Sequence, residues 1–397
     1  MRNSRRIGAE VAIVGGGIVG CAAAYYLVRR GVKVVLLEKS VIGGEASGRN
    51  GGGVRAQCRD RRERPLAMAS IKLWVELEAE LGFDVEYVQG GNIRMAANEG
   101  RMATLRREGE EEREDGLAVQ VWDRDELRRR TPYLGDIFLG AKYCPTDGTA
   151  NPLLATKAFG WAAKRAGATI LTRTEAVNIG VQAGQVTSVT ARDKDGEIVV
   201  EAPQAIHAGG PWTPQLSRTL GIQVPIEPAR SVLAVTQRMP PLFNEFISSH
   251  DLGVYGRQAR QGHVHIGGVG TPGQTFDQSM PAASIAHLAR GAAEMVPALR
   301  GANFLRTWAG TLEMTPDKVP IIGPVDGIQG YLLASGFSGH GFCLGPIAGK
   351  LLCELIVDGE PSLPLHEFRL SRFGEPAAPA QAREGTGSPR LRGMEHY

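Results

Sequence analysis

Apolar residues along this chain change period several times, and the first changes mark out a strand–helix–strand unit near the start. Val11–Val14 is an unbroken apolar, mostly β-branched run that reads as a buried parallel strand. Residues 21–30 are Ala-rich with helix-forming character and stop at Gly31. Residues 32–38 then form a second apolar run that closes on Glu38, which completes a βαβ unit of ordinary size. Residues 101–115 make a strongly charged helical stretch, expected to be solvated and remote from chemistry.

Further along, a helix over 153–167 precedes strand-like segments at 169–172 and 176–179. Asp193-Lys194-Asp195-Gly196 is a turn signal that joins 186–191 to 197–202 as a hairpin. Residues 206–210 read as a strand running into Pro211 and Trp212. Residues 216–317 form a separate block, with strands at 231–236 and 263–266 and a helix at 282–295. An apolar strand ending in glycine returns at 331–336, followed by a helix over 345–357. The Pro-, Ala-, Gly- and Arg-rich composition of 374–397 predicts a disordered tail, and no internal repeat is visible.

Composition narrows the picture. A chain of 397 residues suits two intertwined domains, and 45 basic against 42 acidic residues imply no polyanionic partner such as nucleic acid. Five cysteines without a CxxC pair indicate no disulfide framework and no zinc or iron–sulfur site, so no metal and a cytoplasmic location are expected. Arg2, Arg5 and Arg6 before the uncharged stretch 11–28 mimic a signal peptide. Four glycines inside that stretch, and the second strand that follows it, argue for a folded unit and against a leader or a membrane span.

Those glycines carry chemistry. Gly15-Gly16-Gly17-Ile18-Val19-Gly20 is a G-x-G-x-x-G string, which alone marks only a tight turn. Here it follows a strand, opens a helix and is answered by Glu38 and Lys39 at the end of the next strand, the context of a dinucleotide site. Gly15 permits the turn, Gly17 lets backbone approach a pyrophosphate, Gly20 lets helix pack on sheet, and Glu38 can accept both ribose hydroxyls. A second glycine-rich loop, from Gly43 through Ala46, Ser47, Gly48, Arg49 and Asn50 to Gly51, Gly52 and Gly53, follows at once. NAD requires no such loop, whereas the longer FAD must run its pyrophosphate and ribityl chain past it. Ser47 and Arg49 suit phosphate oxygens.

Four motifs in this order resemble the D-amino-acid-oxidase-like superfamily of flavoproteins, and within it sarcosine oxidases and the β subunits of heteromeric sarcosine, proline and opine oxidases or dehydrogenases. They are the fingerprint ending in Glu38; 46–52; Ala208-Gly209-Gly210-Pro211-Trp212; and Gly336-Phe337-Ser338-Gly339-His340-Gly341-Phe342. The stretch from Trp308 to Gly323 looks like the family's crossing back into the flavin domain, and the resemblance covers residues 9 to about 370. It implies an α/β fold with a Rossmann-type FAD-binding domain, glutathione-reductase-like, over 8–85, 145–215 and 318–370. A substrate domain built on an antiparallel sheet is implied over 86–144 and 216–317. It also implies that Val177 holds adenine by main-chain contacts, that Gly209 and Gly210 close over the adenosine beside a packing Trp212, and that 336–342 wraps the flavin.

The departures from that family are equally informative. Where some relatives attach flavin to a cysteine, this chain has Gly310, so FAD is expected to be non-covalent. Arg55 stands where sarcosine oxidases place an arginine for the substrate carboxylate, although it also reads as one of several surface arginines. Leu312 occupies the place of an alternative carboxylate-binding arginine, and Cys343 that of a lysine. His265 aligns with the lysine that activates oxygen, and it reads equally as a structural strand histidine. With Tyr255 and His265 as polar walls, the implied reaction is hydride removal from the carbon of a C–N bond onto flavin, followed by imine hydrolysis. The missing lysines point to a dehydrogenase that passes electrons to partner subunits with further redox centres. The alternative is a stand-alone glycine or D-amino-acid oxidase that releases hydrogen peroxide. No catalytic acid or base is identified.

Overall fold

The computed structural model describes residues 5–374, so the tail expected from 374 onward lies, beyond Gly374, outside the described residues. A six-stranded sheet has the spatial order Ile321–Pro324, Tyr331–Ser335, Gln204–His207, Val11–Val14, Val34–Glu38 and Thr169–Thr172. All neighbours are parallel except the first pair. Every residue of Val11–Val14 and Val34–Glu38 is buried, as expected of parallel strands covered on both faces. One face packs on the helices Ile18–Arg29, Pro152–Arg165 and Gly341–Val357. The other packs on a four-stranded sheet made of Arg5–Gly8, Gly196–Glu201, Gln185–Asp193 and Glu175–Gln182.

The helix of the glycine fingerprint starts at Ile18, three residues before the Ala-rich stretch announces it, because the turn itself supplies its first residues. Its placement depends on close backbone approach. A Cβ on Gly20 would lie 2.0 Å from the Gly15 carbonyl oxygen, and one on Gly349 would lie 2.6 Å from the Ala23 nitrogen. Glycine at these two points lets Ile18–Arg29 sit against both its own strand and Gly341–Val357.

A third, eight-stranded sheet runs Phe304–Met314, Glu227–Arg238, His263–Gln274, Val254–Gln258, Phe246–Ser249, Asn92–Ala96, Gly140–Cys144 and Gln120–Asp123. It is mixed rather than antiparallel, because Phe246–Ser249 and Asn92–Ala96 pair in parallel. Its strands come from two separated stretches of chain, 92–144 and 227–314. No hairpin turn constrains the direction of pairing at their junction. Among the described residues no helix is long and apolar enough to cross a membrane.

The charged helix Glu99–Glu114 is not fully solvated as its composition suggests. Its face carrying Met102, Leu105, Gly109 and Glu112 is buried. The fully buried Lys142 places its Nζ 2.9 Å from both Glu108 and Glu112, and Glu112 also accepts the Cys58 N–H at 2.6 Å. This ion triad ties the helix to the sheet and to the segment after the second glycine loop. Breaking a buried pair strands a charge, at a cost of about 3–5 kcal/mol. Lys142→Met therefore lowers the unfolding free energy measured in urea by about that amount and shifts the midpoint down, and adding Glu112→Gln recovers part of the loss. An unaltered midpoint in Lys142→Met would show that the triad contributes nothing.

Candidate functional site

The parallel strands end, and the helices that follow them begin, on one edge of the six-stranded sheet, where a cavity of about 440 Å³ opens. That is within the ordinary size range of ligand pockets. Its lining includes Glu38, Lys39, Val177 and Trp212 as well as Asn50, Phe337, Gly341 and Phe342. Gly15, Gly17, Ile18, Val19, Ser47, Gly209, Gly210 and Gly339 line it too.

The local chain explains each wall. Gly15 has φ +109, and a Cβ there would lie 2.2 Å from the Ala208 carbonyl oxygen, so only glycine closes the turn against the next strand. The Ile18 N–H at the helix N-terminus donates to Ser47 Oγ at 3.0 Å across the cavity. That contact brings the two glycine loops within a phosphate's width of each other, at the positive end of a helix. Glu38 is buried and accepts the Gly16 and Ser40 N–H groups at 2.7 Å each, with burial raising its carboxyl above the ordinary range. Lys39 Nζ, next in sequence to Glu38, lies 3.0 Å from the centre of the Trp212 ring. A bare-backbone cradle, an acid at the ribose position and a helix N-terminus in line fit an FAD molecule laid along this edge.

Several predicted cofactor residues shape the wall from behind rather than lining it. Gly20 is a packing contact, as above. Gly336 (φ +76) turns the chain, and Ser338 Oγ pins the loop by accepting the Thr315 N–H at 3.1 Å. His340 shares a hydrogen bond of 2.9 Å with the buried Glu63. Arg49 turns away from the cavity: Nε donates to the Gly44 carbonyl at 2.7 Å and Nη1 to the Ala309 carbonyl at 3.2 Å. The Asn50 side-chain amide donates to the Ala46 and Ser47 carbonyls and its oxygen accepts the Gly52 N–H, which holds the loop's shape.

Gly51 and Gly52 lie against one face of the eight-stranded sheet. A Cβ on Gly51 would meet the Tyr255 ring at 2.3 Å, and Trp308 Nε1 donates to the Arg49 carbonyl at 2.9 Å. Tyr255 stacks on Phe246 with ring centres 5.3 Å apart, and burial pushes its hydroxyl up to about 12. His265 pairs across the strands with Arg257 and packs edge-on against Trp308. Burial first, then the Arg257 and His263 charges, hold His265 down at about 3, so its ring is neutral. Arg55 and Cys343 do adjoin each other, with the Cys343 thiol 3.4 Å from the Arg55 carbonyl, but the Arg55 guanidinium donates to the Gln57 and Cys58 carbonyls at 2.7 and 3.1 Å.

Two functional candidates escaped the sequence. Arg257 is 5% exposed and makes one hydrogen bond, from Nε to the Gly51 carbonyl at 2.8 Å. Glu313 lines the cavity, accepts the Gly336 N–H at 2.9 Å, and is pushed up to about 7 by burial. A signal for Arg257 existed in its spacing: it is two residues beyond Tyr255 and so shares its strand face. Among the described residues no group of His, Cys, Asp and Glu has the makings of a metal site.

A sequence profile for the family described as FAD dependent oxidoreductase matches residues 10–355. The chain is similar to a glycine oxidase of Geobacillus kaustophilus, with 29% identity over 91% of this chain and 97% of the relative. It is similar to hydrogen cyanide synthase subunit HcnC of Pseudomonas aeruginosa, with 30% identity over 94% of this chain and 98% of the relative. Among solved structures it is similar to L-proline dehydrogenase from P. horikoshii, with a TM-score of 0.87 and 31% identity, covering 93% of this chain and 98% of that one.

Glu313 yields a test of the cavity's electrostatics. Its carboxyl titrates near 7 in the fold against an ordinary value of 4.5. The folded chain therefore holds a proton that the unfolded chain has lost, and stability from this group is present at low pH and fades as pH rises through about 7. Glu313→Gln keeps the neutral form at every pH. Unfolding of FAD-free protein in urea is expected to find this variant more stable than the parent by about 1–2 kcal/mol at pH 8, a value discounted for the cavity's water. The gap closes toward pH 5. Equal stability at pH 8 would remove the buried-acid account.

Proposed function

The chain belongs to the family of FAD-dependent oxidoreductases, and on that premise we propose that it oxidises the C–N bond of a carboxylate-bearing amine, an N-substituted amino acid foremost. FAD is held non-covalently. The observation that carries the substrate half of this reading is Arg257, a buried guanidinium with no carboxylate partner among the described residues, beside Tyr255, His265 and the second glycine loop. A buried charge without a counter-ion costs several kcal/mol unless a ligand supplies one. The glycine and L-proline named in two relatives are both amino acids, which supports the same class.

In this reading Arg257 is the carboxylate anchor, favoured over Arg55 because the Arg55 guanidinium is already taken up by two carbonyls of its own turn. Bound FAD supplies the acceptor for a hydride. The chain's own contribution is orientation: Arg257 fixes the carboxylate, Tyr255 packs the substrate's carbon skeleton, and neutral His265 can accept a hydrogen bond from the amine. The N-terminus of Gly341–Val357, in the cavity wall, offers positive potential to whatever negative charge gathers there. The fold supports a Rossmann-type, glutathione-reductase-like division, with 8–85, 145–215 and 318–370 for FAD and 86–144 with 216–317 for substrate.

Arg257→Ala is expected to lower kcat/KM for carboxylated amines by on the order of 2–5 kcal/mol. It also abolishes the preference for a carboxylated amine over its decarboxylated counterpart. If the parent enzyme has no such preference, Arg257 is not the anchor.

The acceptor divides two readings. His265 is neutral and burial holds the Cys343 thiol protonated, which favours slow reaction with oxygen and delivery of electrons to a partner subunit; HcnC is a subunit by name. Arg257 favours the second reading, a self-contained oxidase, because it is a fixed cation on the same face. Stopped-flow mixing of substrate-reduced protein with aerated buffer separates them. Slow reoxidation alongside rapid reduction of a dye is the expected result, whereas rapid reoxidation with stoichiometric peroxide selects the oxidase.

A further inference from the structure

The cavity that fits an anionic dinucleotide is itself lined mostly by acids. Glu38, Glu45, Glu175 and Glu313 are in its wall, and Lys39 is the one cation there among the described residues. Three of these acids are provided for. Glu38 accepts the Gly16 and Ser40 N–H groups at the ribose position. Glu45 accepts from Gln278 Nε2 at 2.8 Å, with the Arg49 guanidinium 3.7 Å away, and Glu175 is exposed to water. Glu313 differs from them. Its Oε2 accepts the Gly336 N–H at 2.9 Å, the Phe337 N–H is its other partner, and it has no cation.

Its place is beside the phosphate-binding turn. A Cβ on Gly210 would lie 3.7 Å from Glu313 Oε2, and one on Gly15 would lie 3.3 Å from the Gly209 nitrogen. The fingerprint turn and the Glu313 carboxyl therefore flank the same two residues, and with φ +58 at Gly210 a side chain is disfavoured between them. The titratable groups around the carboxyl supply no counter-charge. Burial holds His207 neutral at about 3, and its ring is tied to the Tyr331 hydroxyl at 2.8 Å. Lys39 Nζ stands over the Trp212 ring, Arg230 on the paired strand is engaged by Asp277 at 2.8 Å, and His340 is bonded to Glu63. Glu227, opposite Met314, adds a further acid. Burial pushes Glu313 up to about 7, opposed by its two backbone N–H groups and by no charged side chain. A like charge nearby raises a carboxyl's hold on a proton still further. The diphosphate of FAD is much the stronger acid and stays ionised, so the proton goes to Glu313.

We propose that Glu313 meets the FAD diphosphate as a neutral acid, so that FAD binding above neutral pH takes up a proton from solvent and the Glu313 O–H donates to the bound cofactor. A protonated carboxyl suits both neighbours: its oxygens still accept the Gly336 and Phe337 N–H groups while its O–H turns to the anion. The consequence is a linkage between cofactor and proton. Without FAD the carboxyl is half ionised near pH 7, and with FAD it stays protonated to higher pH. The hold on FAD is therefore complete at low pH and loosens as pH rises through about 7. This coupling concerns the cofactor alone and stands whichever amine is oxidised.

The test uses the full chain with FAD bound and after FAD is stripped from it. Recovery of flavin fluorescence on dilution of the holoenzyme gives the dissociation constant at about pH 6 and about pH 8.5. The parent is expected to bind FAD at least about 10-fold more weakly at the higher pH. Glu313→Gln, uncharged and still a donor, is expected to differ by less than about 3-fold between the two and to hold FAD more tightly than the parent at the higher one. Calorimetry of FAD binding to the parent near pH 8, in two buffers of unlike ionisation enthalpy, reads proton uptake without any variant. More than about half a proton taken up per FAD is the expected result. A parent affinity that ignores pH, no uptake, or release of a proton would overturn the proposal. So would a pH dependence that survives unchanged in Glu313→Gln, which would place the proton on another cavity group such as Glu38 or Lys39.

Discussion

Backbone-to-backbone approach at the C-terminal edge of the parallel sheet is the constraint from which the rest of the site follows. The Gly15 turn can close only because Gly20 carries no Cβ to strike its carbonyl oxygen, and the following helix can meet Gly341–Val357 only because Gly349 carries none to strike Ala23. With both contacts made, the N-termini of two helices and the bare amides of two glycine loops converge on one long cavity. The charge a dinucleotide brings is met there by partial charges already in position, with little reorganisation left to do.

What was legible in the sequence was what is local. The fingerprint, Glu38, the second glycine loop and the Gly336–Phe342 loop each announce themselves over a few consecutive residues, and the cavity walls are built from those segments. The segments from 92–96, 140–144, 246–249 and 254–258 escaped notice because they are short and interrupted by arginine, lysine, glycine or serine. Some of their polar residues are buried instead of facing water, as Lys142 and Arg257 are, so alternation gives no clean reading. Arg257 is the sharpest instance, since in Val254–Gln258 it looks like any edge cation. Only pairing with His265 and contact with Gly51, 206 positions away, bring it to the site. Arg49 illustrates the reverse. Its neighbours in sequence suggest a phosphate ligand, while its side chain joins the glycine loop to Phe304–Met314.

The two halves of the site differ in how they handle charge. Along the dinucleotide cavity the buried acids are met by backbone N–H groups, Glu38 by Gly16 and Ser40 and Glu313 by Gly336. On the sheet face the buried Arg257 is in no ion pair among the described residues and donates to the Gly51 carbonyl instead. Elsewhere the buried Lys142 is ion-paired with Glu108 and Glu112. A buried cation that the fold requires is thus paired with carboxylates, and against that contrast Arg257 stands out.

The ties between the glycine loop and the large sheet also bear on how a small molecule reaches the cleft. Arg49 to Ala309, Trp308 to Arg49, Arg257 to Gly51 and Gly336 to Glu313 all cross the same seam. Swinging the two sheets apart about a hinge would sever all four at once, at roughly 1 kcal/mol each. Such a gaping form would be populated by about one molecule in a thousand. Access is therefore a matter of side chains stepping aside within a closed body.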